Sequence, residues 1–258
     1  MNVAKTPPFL SVIIPTLNEE KYLPTLLNCL THQTDQDFEV IISDAKSSDK
    51  TVSVASEYSQ KLNLIVISSD KKNVAHQRNM GAESASANYL LFLDADGGFG
   101  NNFIQHLRTE IEKDLDANFI FYLGVQTSSL LIRFLSKIIN AIVFTSQFLP
   151  NSFTSGGFIC VKKDVFNNVG GYDETIYYAE DTDLTNRIRH ANYRVKLLYD
   201  LVVIFSLRRV EKIGLWRALK ILIWGSLPLL IWGTMKAKMP LFEYPMHGGG
   251  SYKTDQNN

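Results

Sequence analysis

The stretch "FEVIISDAKSSDKTVSVASEYSQKLNLIVISSD", residues 38–70, reads as strand, helix, strand. Residues 38–45 and 63–70 are short β-branched apolar runs, the pattern of buried strands. Between them residues 49–62 read as a helix, with Asp49 placed as its N-cap. The same beat extends in both directions. Residues 9–16, "FLSVIIPT", form another strand-like run. Residues 18–33 carry Tyr22, Leu23, Leu26, Leu27 and Leu30 at helical spacing, and Pro24 fits only the first turn or two. A helix over 73–86 and a strand over 88–96 follow. Strand–helix repetition at this spacing predicts an α/β fold, with a mostly parallel sheet flanked by helices on both faces. Ligands bind such sheets beyond the carboxyl ends of the strands.

After residue 100 the beat becomes irregular. An amphipathic helix (101–115) and a strand (118–126) precede a long apolar helix over 128–149. That helix bears a polar stripe of Arg133, Ser136, Lys137, Asn140 and Gln147. Residues 153–174 read as loop, strand, short helix and turn, residues 179–195 as a helix that opens on acidic residues, and residues 195–206 as late strands. The 26 basic and 26 acidic side chains cancel, so no global field recruits nucleic acid. Cys29 and Cys160 are too few for a disulfide framework, and no Cys/His cluster has zinc spacing, which favours a reducing, cytoplasmic setting. The apolar run near the N-terminus is too short for a signal peptide.

The chemistry gathers at strand ends. Asp94-Ala95-Asp96 closes the apolar run "NYLLFLDAD". In a strand, side chains two apart share a side, so the two carboxylates repel unless a cation lies between them. Oxygen-only ligands suit Mg2+ or Mn2+ completed by substrate phosphate; a solvated turn is the plain alternative. Asp44 ends the second strand and reaches the same sheet edge. Arg78 and Asn79 lie on the helix before the Asp94-Ala95-Asp96 strand, and Arg78 is a fixed cation suited to a phosphate. Gly156 and Gly157 would let backbone approach a ligand closely. Glu180-Asp181-Thr182-Asp183 opens a helix, where capping alone favours acids; one of these carboxylates is otherwise a candidate general base.

These pieces, in this order, resemble the inverting family-two glycosyltransferases of GT-A (Rossmann-like) fold, over roughly residues 9–209. The resemblance implies transfer of a sugar from a UDP- or GDP-linked donor to an acceptor hydroxyl. In it Asp44 contacts the nucleotide base, with Pro15 and Glu19 or Glu20 shaping the first loop of that pocket. Arg78 and Asn79 lie near the nucleotide, Asp94 faces the ribose or the metal's waters, and Asp96 binds the metal directly. Asp181 is the base, with Glu180 the second choice. Two positions depart from the family. Its Asp-Asp-Gly-Ser turn is Asp44-Ala45-Lys46-Ser47 here. Its late histidine is replaced by Phe205 or Ser206, so Arg208 and Arg209 are candidates for the missing charge, or for a basic exit toward anionic lipid. A non-catalytic scaffold that keeps the fold, and a sugar nucleotidyltransferase, are the alternatives; the acidic, glycine-free loop "PTLNEEKYL" argues against the second.

A C-terminal apolar appendage is expected over 210–245, then a disordered tail over 246–258. Its charge-free run, Ile221 to Met235, is fifteen residues, short of the roughly 20 that span a bilayer. Trp216, Trp224 and Trp232, flanking lysines and Pro228 favour a helix or bent pair lying in the membrane interface. A span and a buried or homodimer-forming helix are the other readings. The 128–149 helix either joins that membrane surface or packs in the core. A peripheral position on the cytoplasmic face would suit an acceptor glycan carried on lipid.

Overall fold

The structure is a computed structural model that describes residues 6–154, 157–176 and 179–220. Seven strands form one sheet: β1 (Leu10–Thr16), β2 (Phe38–Asp44), β3 (Leu64–Ser68), β4 (Tyr89–Phe92), β5 (Ala117–Val125), β6 (Ile159–Lys162) and β7 (Arg194–Phe205). Their order across the sheet is β3-β2-β1-β4-β6-β5-β7. All pairings are parallel except those of β6, which runs antiparallel between β4 and β5. The expected α/β fold with a mostly parallel sheet is thus present.

Side-chain alternation divides the sheet between two cores. Val12, Ile14, Val40, Ile42, Leu91 and Phe119 face one cluster, together with Leu26 and Leu30 of α1 (Leu23–Thr31) and Leu107 of α4 (Phe103–Lys113). Ile13, Ile41, Leu90, Phe92 and Ile120 face the other, with Ala75 and Ala82 of α3 (Val74–Ser84) and Leu184 and Ile188 of α7 (Glu180–His190). Strands buried on both faces read as continuous apolar runs, which is why β1 and β2 are so plain in the sequence. Pro15 sits inside an interior strand, β1, without breaking its ladder. Ile13 O accepts from Leu93 N on the β4 side; Pro15 faces the same side by alternation, beyond β4's last paired residue.

Several boundaries differ from expectation. Pro24 holds a first-turn position in α1, and the helix begins only at Leu23 because residues 16–20 are tied to the next loop. The helix α2 spans Thr51–Glu57; Asp49 lies one place before its cap residue, and its carboxylate accepts from Thr51 N at 3.0 Å. The late strands are one strand, β7, whose pairing with β5 jumps from Leu198 to Val202 and leaves Tyr199–Leu201 as a bulge. The short helices α6 (Lys163–Asn168) and α8 (Arg208–Ile213) follow β6 and β7. The largest correction concerns β4. It ends at Phe92, so Asp94-Ala95-Asp96 lies in the turn beyond it, and the two carboxylates do not share a strand face. Gly98 then pins this turn to β7 by two backbone bonds with Ile204, 3.1 and 2.7 Å.

The helix α5 (Leu130–Ser146) is not part of the core: only Val143 and Ser146 are buried. Its polar stripe is split. Asn140 turns inward, accepting from Leu123 N at 3.1 Å and donating to Leu123 O at 2.8 Å, and so takes the place of a neighbouring strand along the open edge of β5. Arg133 and Lys137 stay exposed, as do Leu130, Leu131, Phe134, Ile138, Ile142 and Phe144. No helix among the described residues is long and apolar enough to cross a membrane. The expected interfacial segment from Ile221 onward, with Trp224, Pro228 and Trp232, and the expected tail lie outside the described residues.

Asn140→Leu would make α5 still more apolar yet should destabilise the protein by about 1–3 kcal/mol, because the Leu123 N–H and C=O lose their partner. Urea unfolding measures this; a stability equal to or above wild type would contradict the edge-capping role.

Candidate active site

The carboxyl ends of β1, β2 and β4 open on one region, and two interlocked loops build its floor. Asp44 is buried at the end of β2. Its carboxylate accepts from Thr16 Oγ1 (2.9 Å), Ser47 N (2.8 Å) and Ser47 Oγ (2.5 Å), which folds residues 44–47 back over the strand end. Lys46 adopts φ +55° in that turn, the left-handed conformation for which glycine is the low-cost residue. Asn18 accepts from Ser48 N at 2.8 Å, and Glu19 N donates to Thr51 Oγ1 at 2.7 Å. Gln77 locks the floor from below by donating to Thr16 O and Ser43 O, 2.8 and 2.6 Å.

At the centre lies Arg78, projecting from α3 with only 1% of its side chain exposed. A buried guanidinium requires paired carboxylates, and three meet it. Nη2 donates to Asp94 Oδ1 at 2.8 Å, and Nη1 donates to Glu180 Oε1 at 2.8 Å and Asp181 Oδ1 at 2.9 Å. Tyr172 stacks its ring 5.1 Å from the guanidinium carbon and donates its hydroxyl to Asp181 Oδ1 at 3.1 Å. Asn79, the next residue on α3, clasps the Tyr172 backbone: its amide donates to Tyr172 O and accepts from Tyr172 N, both 2.9 Å. Both donors to Asp181 converge on Oδ1 and leave Oδ2 without a hydrogen bond among the described residues. Burial pushes the Asp181 carboxyl up, against the pull of Arg78. Burial also pushes the Tyr172 hydroxyl well up, so it stays a donor.

Gly157 backs onto this cluster. A Cβ there would fall on Arg78 Nη2 and Asp94 Oδ1 and come within 2.8 Å of Asp94 Cγ. The glycine thus makes room for an ion pair of the protein itself. Its neighbour Gly156 lies outside the described residues.

A second guanidinium serves the other carboxylate of the turn. Arg208, at the start of α8, directs Nε to Asp96 Oδ2 at 2.7 Å and both Nη atoms to Glu19, at 2.6 and 2.8 Å. It also lies 4.9 Å over the Tyr22 ring. The side chain of Arg209 lies outside the described residues. So the positive charge beside each aspartate of the turn is an arginine. Among the described residues no three His, Cys, Asp or Glu side chains converge as metal ligands. Among the described residues that pair here, carboxylates nonetheless outnumber cations: Glu19, Asp94, Asp96, Glu180 and Asp181 against Arg78 and Arg208. This negative excess fits a divalent cation bound by Asp96 and completed by phosphate and water rather than held in an all-protein cage.

Tyr172 and Gln77 are site-building residues that sequence patterns did not single out. Each is an ordinary polar residue in a helix or turn, and only the burial of its polar atom against a strand end or carboxylate marks it.

The site lies at the carboxyl ends of the strands, and comparison with known proteins gives its family. Residues 11–170, more than half of the chain, match the model of glycosyl transferase family 2, and the chain belongs to that family. An uncharacterized glycosyltransferase of Haemophilus influenzae is 29% identical over 177 residues, covering 67% of this chain and 60% of that protein. The amylovoran biosynthesis glycosyltransferase AmsB of Erwinia amylovora is 40% identical over 120 residues, 43% of this chain and 40% of its own. The chain therefore spans no more than three-fifths of either relative. Among solved structures, S. aureus TarS 1-349 in complex with UDP-GlcNAc superposes with a TM-score of 0.64 at 23% identity, covering 77% of this chain and 59% of TarS. The mannosyltransferase PcManGT of Pyrobaculum calidifontis, in complex with GDP-Man and Mn2+, gives 0.64 at 19%, covering 79% and 58%. These likenesses establish the GT-A fold.

Gly157→Ala should cost about 1–3 kcal/mol, since the methyl must displace a buried ion pair. Gly98→Ala, whose added carbon meets only Cys29 Sγ at 3.8 Å, should stay near wild type. Equal melting temperatures for the two variants would refute this account of Gly157.

Proposed function

We propose that the protein moves a sugar from a UDP- or GDP-linked donor to an acceptor hydroxyl by a single inverting displacement, with Asp181 as general base. The observation that carries this reading is Arg78: one buried guanidinium ties the Asp94 turn, where a donor diphosphate would lie, to the acidic pair Glu180-Asp181. A displacement needs donor and base at a fixed separation, and a rigid shared ion cluster supplies that. Asp181 Oδ2 takes the proton of the acceptor hydroxyl, while Arg78 and Tyr172 hold Oδ1 and fix the orientation of the carboxylate. Glu180 remains the second candidate for that step. Asp44, with Pro15 and Glu19, bounds the base pocket. Asn79 acts through Tyr172, and Gly157 lets the backbone close over the ion pair. Asp96, with Asp94 beside it in the turn, would hold a divalent ion, Mn2+ or Mg2+, which when bound would stabilise the charge developing on the departing nucleoside diphosphate.

Asp181→Asn should abolish transfer while leaving donor affinity within a few-fold of wild type, as read by calorimetry. The base works ionised, so kcat/KM should fall as pH drops through its pKa. The Tyr172 hydroxyl favours the ionised form; Tyr172→Phe should therefore move the acid limb of kcat/KM to higher pH. Turnover of Asp181→Asn near the wild-type rate would sink the assignment.

We also propose that the protein works peripherally on the cytoplasmic face of an anionic membrane, where a lipid-linked acceptor would be presented. The support is α5: its outward face is apolar, Arg133 and Lys137 border it, and no carboxylate occurs between Asp116 and Asp164. An apolar helix face with Arg133 and Lys137 beside it matches lipid headgroups over acyl chains. Full-length protein should float with phosphatidylglycerol vesicles, and Phe134→Glu with Ile138→Glu should reduce the floated fraction several-fold. Unchanged flotation of that variant, or its conversion from dimer to monomer in light scattering, would assign the face elsewhere.

A further inference from the structure

We propose that Arg208 is a tethered counter-cation that competes with the divalent ion for Asp96, releasing this carboxylate to metal as it turns to the donor diphosphate. The inference rests on the reading of Asp96 as the ion's protein ligand.

The two aspartates of the turn are held in different ways. Asp94 is bound to Arg78, which is 1% exposed and anchored by two further carboxylates; that partner has nowhere to go. Asp96 is bound to Arg208, whose side chain is 21% exposed and which stands at the start of a short helix. Of the two guanidiniums, only Arg208 has access to solvent and to an arriving anion.

Its three nitrogens are divided to match. Nη1 and Nη2 form a two-pronged pair with Glu19, and Nε alone reaches Asp96. Glu19 is fixed in turn, since its N–H is bound by Thr51 Oγ1 and its carbonyl accepts from Tyr22 N and Leu23 N. Arg208 can therefore release Asp96 and remain held by Glu19. A divalent ion on Asp96 Oδ2 would be repelled by the guanidinium held there at 2.7 Å, because two cations would meet on one oxygen, so each weakens the other's hold. A diphosphate removes the conflict. It offers an oxygen to Arg208 Nε, the donor that Asp96 gives up, while Nη1 and Nη2 stay with Glu19, and it brings its own charge for the ion. Metal and nucleotide then bind cooperatively, and metal alone binds poorly.

The test is Mn2+ binding without nucleotide, measured by the free-ion electron paramagnetic resonance signal, alongside calorimetry of the nucleoside diphosphate (UDP or GDP) that binds wild type in EDTA. Arg208→Gln should bind Mn2+ about ten-fold or more tightly than wild type, and the diphosphate about ten-fold more weakly. A residue that merely held the fold would weaken both. Adding Asp96→Asn to Arg208→Gln should remove the gained Mn2+ site. Equal Mn2+ affinity in wild type and Arg208→Gln, with both losing it on Asp96→Asn, overturns the competition and leaves the metal reading standing. Mn2+ binding that is absent throughout, or indifferent to Asp96→Asn, overturns both. If circular dichroism shows Arg208→Gln unfolded, Arg208→Met decides: it keeps the apolar stem over the Tyr22 ring and loses the charge, and it should bind Mn2+ more tightly than wild type, with equality counting against the proposal.

Discussion

A buried guanidinium must be neutralised, and the site is arranged around that necessity. Arg78 leaves α3 beneath the sheet edge and has almost no contact with water. Removing one partner of such a cluster would cost about 3–5 kcal/mol, because the remaining charge stays buried and unpaired. The requirement brings together segments far apart in the chain: the turn after β4, the start of α7, Tyr172 between α6 and α7, and the glycine at 157. Each of these is constrained by Arg78 before any ligand is considered. The left-handed Ala179 just before α7 is a local consequence of bringing Glu180 and Asp181 to the same nitrogen.

This arrangement alters what the two-aspartate turn does. Carboxylates at the end of an apolar run suggest a cation between them, and a cation is present beside each. It is supplied twice by arginine, once permanently from Arg78 and once from Arg208, which has partial access to solvent. Residues 97–98 carry the turn across to β7, where Gly98 pairs with Ile204, so the position of Arg208 is set by the same strand that receives the turn. The antiparallel insertion of β6 between β4 and β5 makes this geometry available. It moves β5 and β7 one strand further from β1 and β2, and α5 lies along the edge of β5 that β6 leaves open.

The helix α5 shows how composition alone misleads. Its apolar content fits a core helix, yet its inward side spends a polar residue, Asn140, on the backbone of Leu123. The apolar residues that do not fit inside face out. An unpaired strand edge needs hydrogen-bond partners more than it needs further apolar contact, and that requirement sets which way the helix faces.

The sequence by itself determined the parallel strand–helix beat, the two-sided burial of β1 and β2, and the set of charged residues at strand ends, because periodicity and chain order are local properties. It also determined the glycosyltransferase resemblance, which rests on motifs in order along the chain. Only the tertiary structure decided how those charges pair. Arg78 could have met a phosphate, Gly157 a ligand, and Asn79 a nucleotide; instead they meet Asp94, the ion pair and the Tyr172 backbone. The pairing of Arg208 with Glu19 joins residues 189 positions apart, and no local pattern carries that information. Such contacts follow from which side chains the packed sheet leaves without water. The cost of leaving a buried charge unpaired then selects the partner.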